Sequence, residues 1–108
     1  MKKKLREKKE YKEYRITLNH IGSAVIYIYH DDPDVAYIGN VVVYKKMREK
    51  GFGSILLDFV EKIVAKFGCN SYILKAAKES KNYDWYKRRG YIDYTQDKNI
   101  EFIWMRKH

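Results

Sequence analysis

Lys46-Met-Arg-Glu-Lys-Gly-Phe-Gly-Ser54 stands between an apolar run, Val41-Val-Val-Tyr44, and an amphipathic segment that begins at about Ser54. A strand, a basic glycine-containing loop and a helix start, in that order, can bind a phosphate-bearing ligand. Glycine has no Cβ, so the loop backbone can approach the phosphates. The first N–H groups of a helix have no internal partner and lie at the positive end of its dipole. Lys45, Lys46, Arg48 and Lys50 add positive charge. An ordinary strand-to-helix turn that contains glycines has the same local pattern, so the elements on either side decide between the two.

C-terminal to the loop, Ile55, Leu56, Phe59, Ile63, Val64 and Phe67 recur at helical spacing and predict one apolar face, a core stripe ended by Gly68. Ser71–Ala76 then reads as a strand. It follows a helix that follows a strand, so it should run parallel to the long strand Val35–Tyr44. Gly39 inside that strand signals a bulge or the close approach of another backbone or a ligand. Upstream, Tyr14–Leu18 and Ser23–His30 alternate as strands, with turns at Asn19–Gly22 and Asp31–Asp34. Downstream, Ser80 caps a short helix from Lys81 to about Arg89. Tyr91–Tyr94 and Ile100–Met105 are the last two strands. The order β-β-β-α-β-α-β-β predicts an α/β fold, a mixed and mostly antiparallel sheet with helices packed on it.

A chain of 108 residues, 45% hydrophobic and 16% aromatic, fits one packed domain, taken as residues 14–108 after a basic N-terminal arm, 1–13. The Glu/Lys spacing of that arm suits a solvated helix or a mobile segment. No apolar run approaches membrane-spanning length, and the Lys-rich start lacks the apolar stretch of a secretory signal. With Cys69 the only cysteine, no internal disulfide is possible, and a cytoplasmic setting is expected. The net charge of +9 asks for an anionic partner, but about half of the excess lies in the first 15 residues. His20, His30 and His108 are too scattered to suggest a metal site.

Two motifs give the chain a family resemblance. Arg48-Glu-Lys-Gly51-Phe-Gly53 resembles the Arg/Gln-x-x-Gly-x-Gly/Ala signature of the GNAT superfamily of N-acetyltransferases. Asp84-Trp-Tyr86-Lys-Arg-Arg-Gly90-Tyr91 resembles that family's aromatic-Tyr-x-x-x-Gly-Phe/Tyr pattern. The likeness covers roughly residues 18–106. It implies acetyl-CoA as acetyl donor, with no metal. The pyrophosphate would be held by Arg48, Glu49, Lys50, Gly51, Phe52, Gly53 and Ser54. The pantetheine arm would pair with the strand edge at Val41, Val42 and Val43, where the fourth and fifth strands of the family splay apart. Tyr86 falls at the place of the general acid, where a phenol of pKa about 10 can protonate the leaving thiolate.

The chain departs from the family pattern in three places. The family usually opens with a further strand and two helices that cover the acceptor side, and their absence implies an open acceptor site or one completed by another subunit. A carboxylate often found on the fourth strand is replaced here by Gly39 and Asn40, which leaves His30, Asp31, Asp32, Asp34 or a relayed water as base. An Asn that commonly stands seven residues before the Tyr is Glu79 here, next to Ser80. The resemblance implies acetyl transfer to a primary amine, on a protein or another large acceptor. A non-catalytic CoA-binding relative, or a basic nucleic-acid-binding module using residues 1–13, stays open as an alternative. Ile100, Phe102 and Trp104 on one face of the last strand, with Ile103 and Met105 on the other, predict a homodimer that covers one of them.

Overall fold

The structure, a computed structural model, describes residues 1–48 and 50–108. Period-two patterning builds its sheet. Seven strands stand in the order β1-β2-β3-β4-β5-β7-β6: β1 (Lys2–Glu7), β2 (Tyr11–Leu18), β3 (Gly22–Tyr29), β4 (Val35–Val43), β5 (Ser71–Ala77), β6 (Ile92–Gln96) and β7 (Phe102–Lys107). Only β4 and β5 run parallel; every other neighbouring pair is antiparallel. A parallel pair needs a crossover, and α1 (Phe52–Lys66) supplies it. The second helix, α2 (Lys81–Arg88), joins β5 to β6. This is the mixed, mostly antiparallel sheet with two helices that the sequence predicts.

Both helices pack on one face of the sheet. Ile16, Ala24, Ile26, Ala36, Ile38, Leu74 and Met105 point to that face and share one core with Leu56, Leu57, Val60 and Val64 of α1 and Tyr86 of α2. The buried stripe of α1 is therefore turned from the expected one. Leu57 and Val60 are fully buried, whereas Ile55 is 48% exposed, and Phe59, Ile63 and Phe67 pack at the margin. The helix also starts two residues before Ser54: α1 begins at Phe52, after Gly51 in the left-handed region at φ 80. A glycine there turns the loop into the helix without Cβ strain. On the other face of the sheet the alternate residues, among them Tyr27, Tyr37 and Trp104, meet no helix.

Residues 2–7 form β1, neither a solvated helix nor a free arm. All six are exposed, so burial does not hold the strand. Backbone pairing with β2 does, in a register that sets Arg6 across from Glu13 and Glu7 across from Lys12 but also Lys4 across from Arg15. The Lys3 ammonium also lies over the Phe67 ring, 5.2 Å from its centroid. A strand thus precedes β2 after all. Residues 8–10 join the two, and no helix stands between them, where the resemblance implied a missing strand and two missing helices. At the other end, β7 spans Phe102–Lys107, and Ile100 is a turn residue, 75% exposed. The Asn99 side chain accepts the Glu101 N–H at 3.0 Å and delays the strand.

The β3–β4 pairing requires glycine at 22. A Cβ there would lie 2.2 Å from the Val42 carbonyl oxygen, a backbone atom that cannot step aside. Gly22→Ala is expected to destabilise the fold by about 1–3 kcal/mol, read as a lower urea midpoint at unchanged slope. An unchanged midpoint would show that the two strands can part at no cost.

Candidate active site between strands four and five

The site originates in a change of pairing. β4 and β5 are hydrogen-bonded at Val35↔Ser71, Ala36↔Tyr72 and Tyr37↔Ile73, and no further. β4 continues to Val43 and β5 to Ala77, so the two strands part and leave the β4 edge open. A bulge sharpens the parting. Between the pairs Ser23↔Val42 and Val25↔Gly39, Asn40 and Val41 together oppose Ala24. Asn40 takes a positive φ of 50 to make it. The bulge lies one residue beyond Gly39. Gly39 itself is where Tyr27 comes close: a Cβ there would meet the Tyr27 ring at 3.3 Å.

A groove of about 400 Å³ occupies the gap, lined by Val41, Val42, Val43, Arg48, Gly53, Asn82, Trp85 and Tyr86. One end is the start of α1. Among the described residues no side chain caps that helix, and its first turn carries no acidic residue, so its leading N–H groups can meet an anion. Arg48 Nε donates to the Val43 carbonyl at 3.0 Å, which holds the guanidinium at the groove. Gly53 keeps the groove open: a Cβ would sit 3.6 Å from the Trp85 ring and 3.7 Å from Val43. Lys50 and Gly51 lie exposed in the loop, while Phe52 and Ser54 are half-buried in the first turn. Glu49, expected among the phosphate-holding residues, lies outside the described residues.

Tyr86 sits where this groove meets a second opening, of about 380 Å³, that leads to the far face of the sheet. Val41 and Asn82 are the other residues shared by the two. The short helix that places Tyr86 is capped as the sequence predicts: Ser80 Oγ accepts the Tyr83 N–H at 3.1 Å. The Tyr86 ring packs against Trp85 and Tyr91, with centroids 5.2 and 5.7 Å away. Among the described residues its hydroxyl has no protein partner. Burial pushes the phenol above its ordinary value of 10.0, so it stays protonated and able to donate.

The acid–base candidates of the Asp31–Asp34 turn lie elsewhere. His30 and Asp31 line a separate recess with Lys9, Glu10 and Tyr29, and His30 Nε2 is 3.1 Å from the Lys8 carbonyl. Neither they nor Asp32 or Asp34 line the openings at Tyr86. Glu79 is an exposed turn residue at φ 58. The groove residues missed in the sequence are Asn82 and Trp85. Both stand on the helix that carries Tyr86, four residues and one residue before it.

Comparison with known proteins bears on family and fold. The family model described as Acetyltransferase (GNAT) family matches residues 8–91. No curated protein matches the sequence. Among solved structures, the PaiA N-acetyltransferase of Thermoplasma acidophilum, in complex with coenzyme A, superposes with a TM-score of 0.71 at 19% identity, over 91% of this chain and 60% of its own. A GNAT family acetyltransferase of Elizabethkingia anophelis with acetyl-CoA bound gives 0.70 at 18%, over 92% and 76%. An acetyltransferase of Bacillus cereus gives 0.67 at 22%, over 88% and 70%. At these identities the likeness is one of fold.

Proposed function

The chain belongs to the GNAT family of acetyltransferases, and we propose that it is an acetyl-CoA-dependent N-acetyltransferase acting on a primary amine. The observation that carries the reading is the unpaired edge of β4, which runs from the uncapped start of α1 to the Tyr86 hydroxyl. A long ligand with an anionic end and an amide-bearing arm fits such a groove. The backbone N–H groups of residues 50–54 and the Arg48 side chain face its phosphates. The edge at Val41–Val43 offers backbone groups to its amides, as an added strand would. Acetyl-CoA supplies an activated thioester.

The chain's own groups then have separate tasks. Backbone N–H groups at the Asn40–Val41 bulge polarise the acyl oxygen. Tyr86 holds a proton for the leaving sulfur. In the net reaction a carbon–nitrogen bond forms and the carbon–sulfur bond breaks. The thiolate takes the Tyr86 proton, the nitrogen gives its extra proton to water, and Tyr86 is reprotonated from solvent. No Asp, Glu or His lines either opening at Tyr86 among the described residues, so the amine enters already neutral. The pH profile should follow from these assignments. The rate rises as the acceptor amine deprotonates, and Tyr86, raised above 10.0 by burial, stays protonated, so no alkaline fall is expected below about pH 10. A fall near pH 8 would assign the acid to another group.

Thermal unfolding with millimolar acetyl-CoA tests the donor: the midpoint should rise for the native chain, by mass action on the folded state. Gly53→Val fills the space beside Trp85 and should weaken acetyl-CoA binding about 100-fold or more while circular dichroism stays native. Equal shifts for both chains would remove the groove from the reading. A homodimer joined along β6 fits the same picture, because that edge strand exposes Ile92 and Tyr94, at 59% and 54%. Sedimentation equilibrium at the mass of one chain, at every concentration, would remove the dimer.

A further inference from the structure

The face of the sheet that no helix covers is lined with rings. Tyr11, Tyr27, Tyr29, Tyr37 and Trp104 surround a cleft of about 420 Å³. Their rings meet in sequence: Tyr27 to Tyr11 at 5.7 Å, Tyr11 to Tyr29 at 5.4 Å, Tyr29 to Tyr37 at 5.5 Å and Tyr37 to Trp104 at 6.2 Å. Most of these contacts are edge to face, the geometry in which a further ring adds favourably. Tyr27, Tyr37 and Trp104 also line the opening that runs through the sheet to Val41, Asn82 and Tyr86. The ring-lined cleft is thus continuous with the place where the acetyl group would be transferred, and it approaches from the side opposite the donor groove.

Charge narrows the occupant. No Asp or Glu lines the cleft among the described residues. Glu13, paired across from Tyr27, is 7% exposed and is bonded by Arg15 at 3.3 Å. Lys75 stands over the Trp104 ring, 5.5 Å from its centroid, at the passage toward Tyr86, and is paired with Asp97 at 3.3 Å. A polyamine would bring a second ammonium to a cleft whose neighbouring carboxylates, Glu13 and Asp97, are already matched by Arg15 and Lys75. Burial pushes the Tyr27 and Tyr37 phenols up, so they offer neutral hydroxyls and ring surface.

We infer that this cleft seats the acceptor, and that the acceptor is a monoamine with an aromatic ring within a few bonds of the nitrogen. The inference rests on the acetyl-transfer reading and deepens it: the ring lodges among the tyrosines, and the nitrogen points through the gap to the acyl carbon. The ring chemistry is shared by free arylalkylamines and by peptides with an aromatic first residue.

The two tryptophans of the chain lie on opposite sides of the gap, Trp85 in the donor groove and Trp104 in the cleft. Their indole N–H signals in a labelled sample, assigned with Trp104→Phe, report each site separately. Phenethylamine and the peptide Phe-Gly-Gly represent the two aromatic sources; hexylamine and spermidine are the controls. At least one aromatic probe should move the Trp104 signal and bind about tenfold tighter than either control, and Tyr37→Leu should erase that advantage. Whichever aromatic probe binds identifies the source. If neither moves Trp104, or if spermidine or hexylamine binds as well, the inference is overturned, even where CoA moves Trp85 and the donor reading stands. A Trp85 signal untouched by CoA overturns the donor reading instead.

Discussion

Tyr86→Phe should lower the turnover number by about 10²–10⁴-fold, the range general acid catalysis supplies, while leaving the KM for acetyl-CoA within about twofold. The substitution removes one oxygen and keeps the ring that packs against Trp85 and Tyr91. Because the hydroxyl has no protein partner among the described residues, its loss strands no buried group, and stability should hold. A rate fall with unchanged unfolding therefore reports on chemistry. If turnover, measured by release of free thiol, is the same in both chains, Tyr86 is only a packing residue and the acid must be sought elsewhere.

The largest effect on stability is expected at Glu61. This α1 carboxylate, 13% exposed at the side chain, gathers three donors from distant parts of the chain. Tyr91 Oη donates to it at 2.7 Å, Lys107 Nζ at 3.2 Å and Arg89 Nη2 at 3.4 Å. Arg89 also reaches Asp58, and among the described residues its buried Nε has no partner. Burial and the Glu61 carboxylate together hold the Tyr91 phenol far above its ordinary value, so it remains a donor. Glu61→Ala leaves the buried Tyr91 phenol without its acceptor and takes a carboxylate from two partly buried cations, of which Arg89 keeps Asp58, which together costs about 2–3 kcal/mol. A drop in the thermal midpoint on the order of 15 °C corresponds to that loss in a chain of this size. The network ties the residues after α2 to α1, so the loss should also loosen the helix that carries Tyr86. A change below about 0.5 kcal/mol in urea would mean that water replaces the carboxylate freely.

How far the fold could be read follows from what each signal depends on. The strand–loop–helix unit was legible because Val41–Val43, Gly51 and the helical stripe act locally. So was the N-cap at Ser80, whose hydroxyl needs only the next turn. β1 was not legible. Lys2–Glu7 contains one apolar residue, Leu5, itself 50% exposed, and the strand exists because β2 offers an unpaired edge. The rotation of the α1 stripe was hidden because α1 is apolar over more than half a turn, and the sheet decides whether Leu57 and Val60 or Ile55 and Phe59 face the core. Tyr86 could be placed by its spacing to Gly90 and Tyr91. Asn82 and Trp85 could not, since a position on a helix does not tell which groove it borders. The same limit applies to the ring-lined face. Alternation along Ser23–His30 sets Tyr27 and Tyr29 on one face, but only the three-residue connection between β1 and β2 shows that no helix covers it among the described residues.

The central claim is that acetyl-CoA lies along the β4 edge with its phosphates at the start of α1. Backbone amide shifts of a labelled sample titrated with CoA test it most directly. The largest changes should fall on Gly51, Phe52, Gly53 and Ser54, with a second set at Val41–Val43 and Trp85, all saturating together. Saturable changes confined to β1 and the other lysine-rich surfaces, fading as salt is raised, would instead mean that CoA is held only by charge, and would contradict the claim.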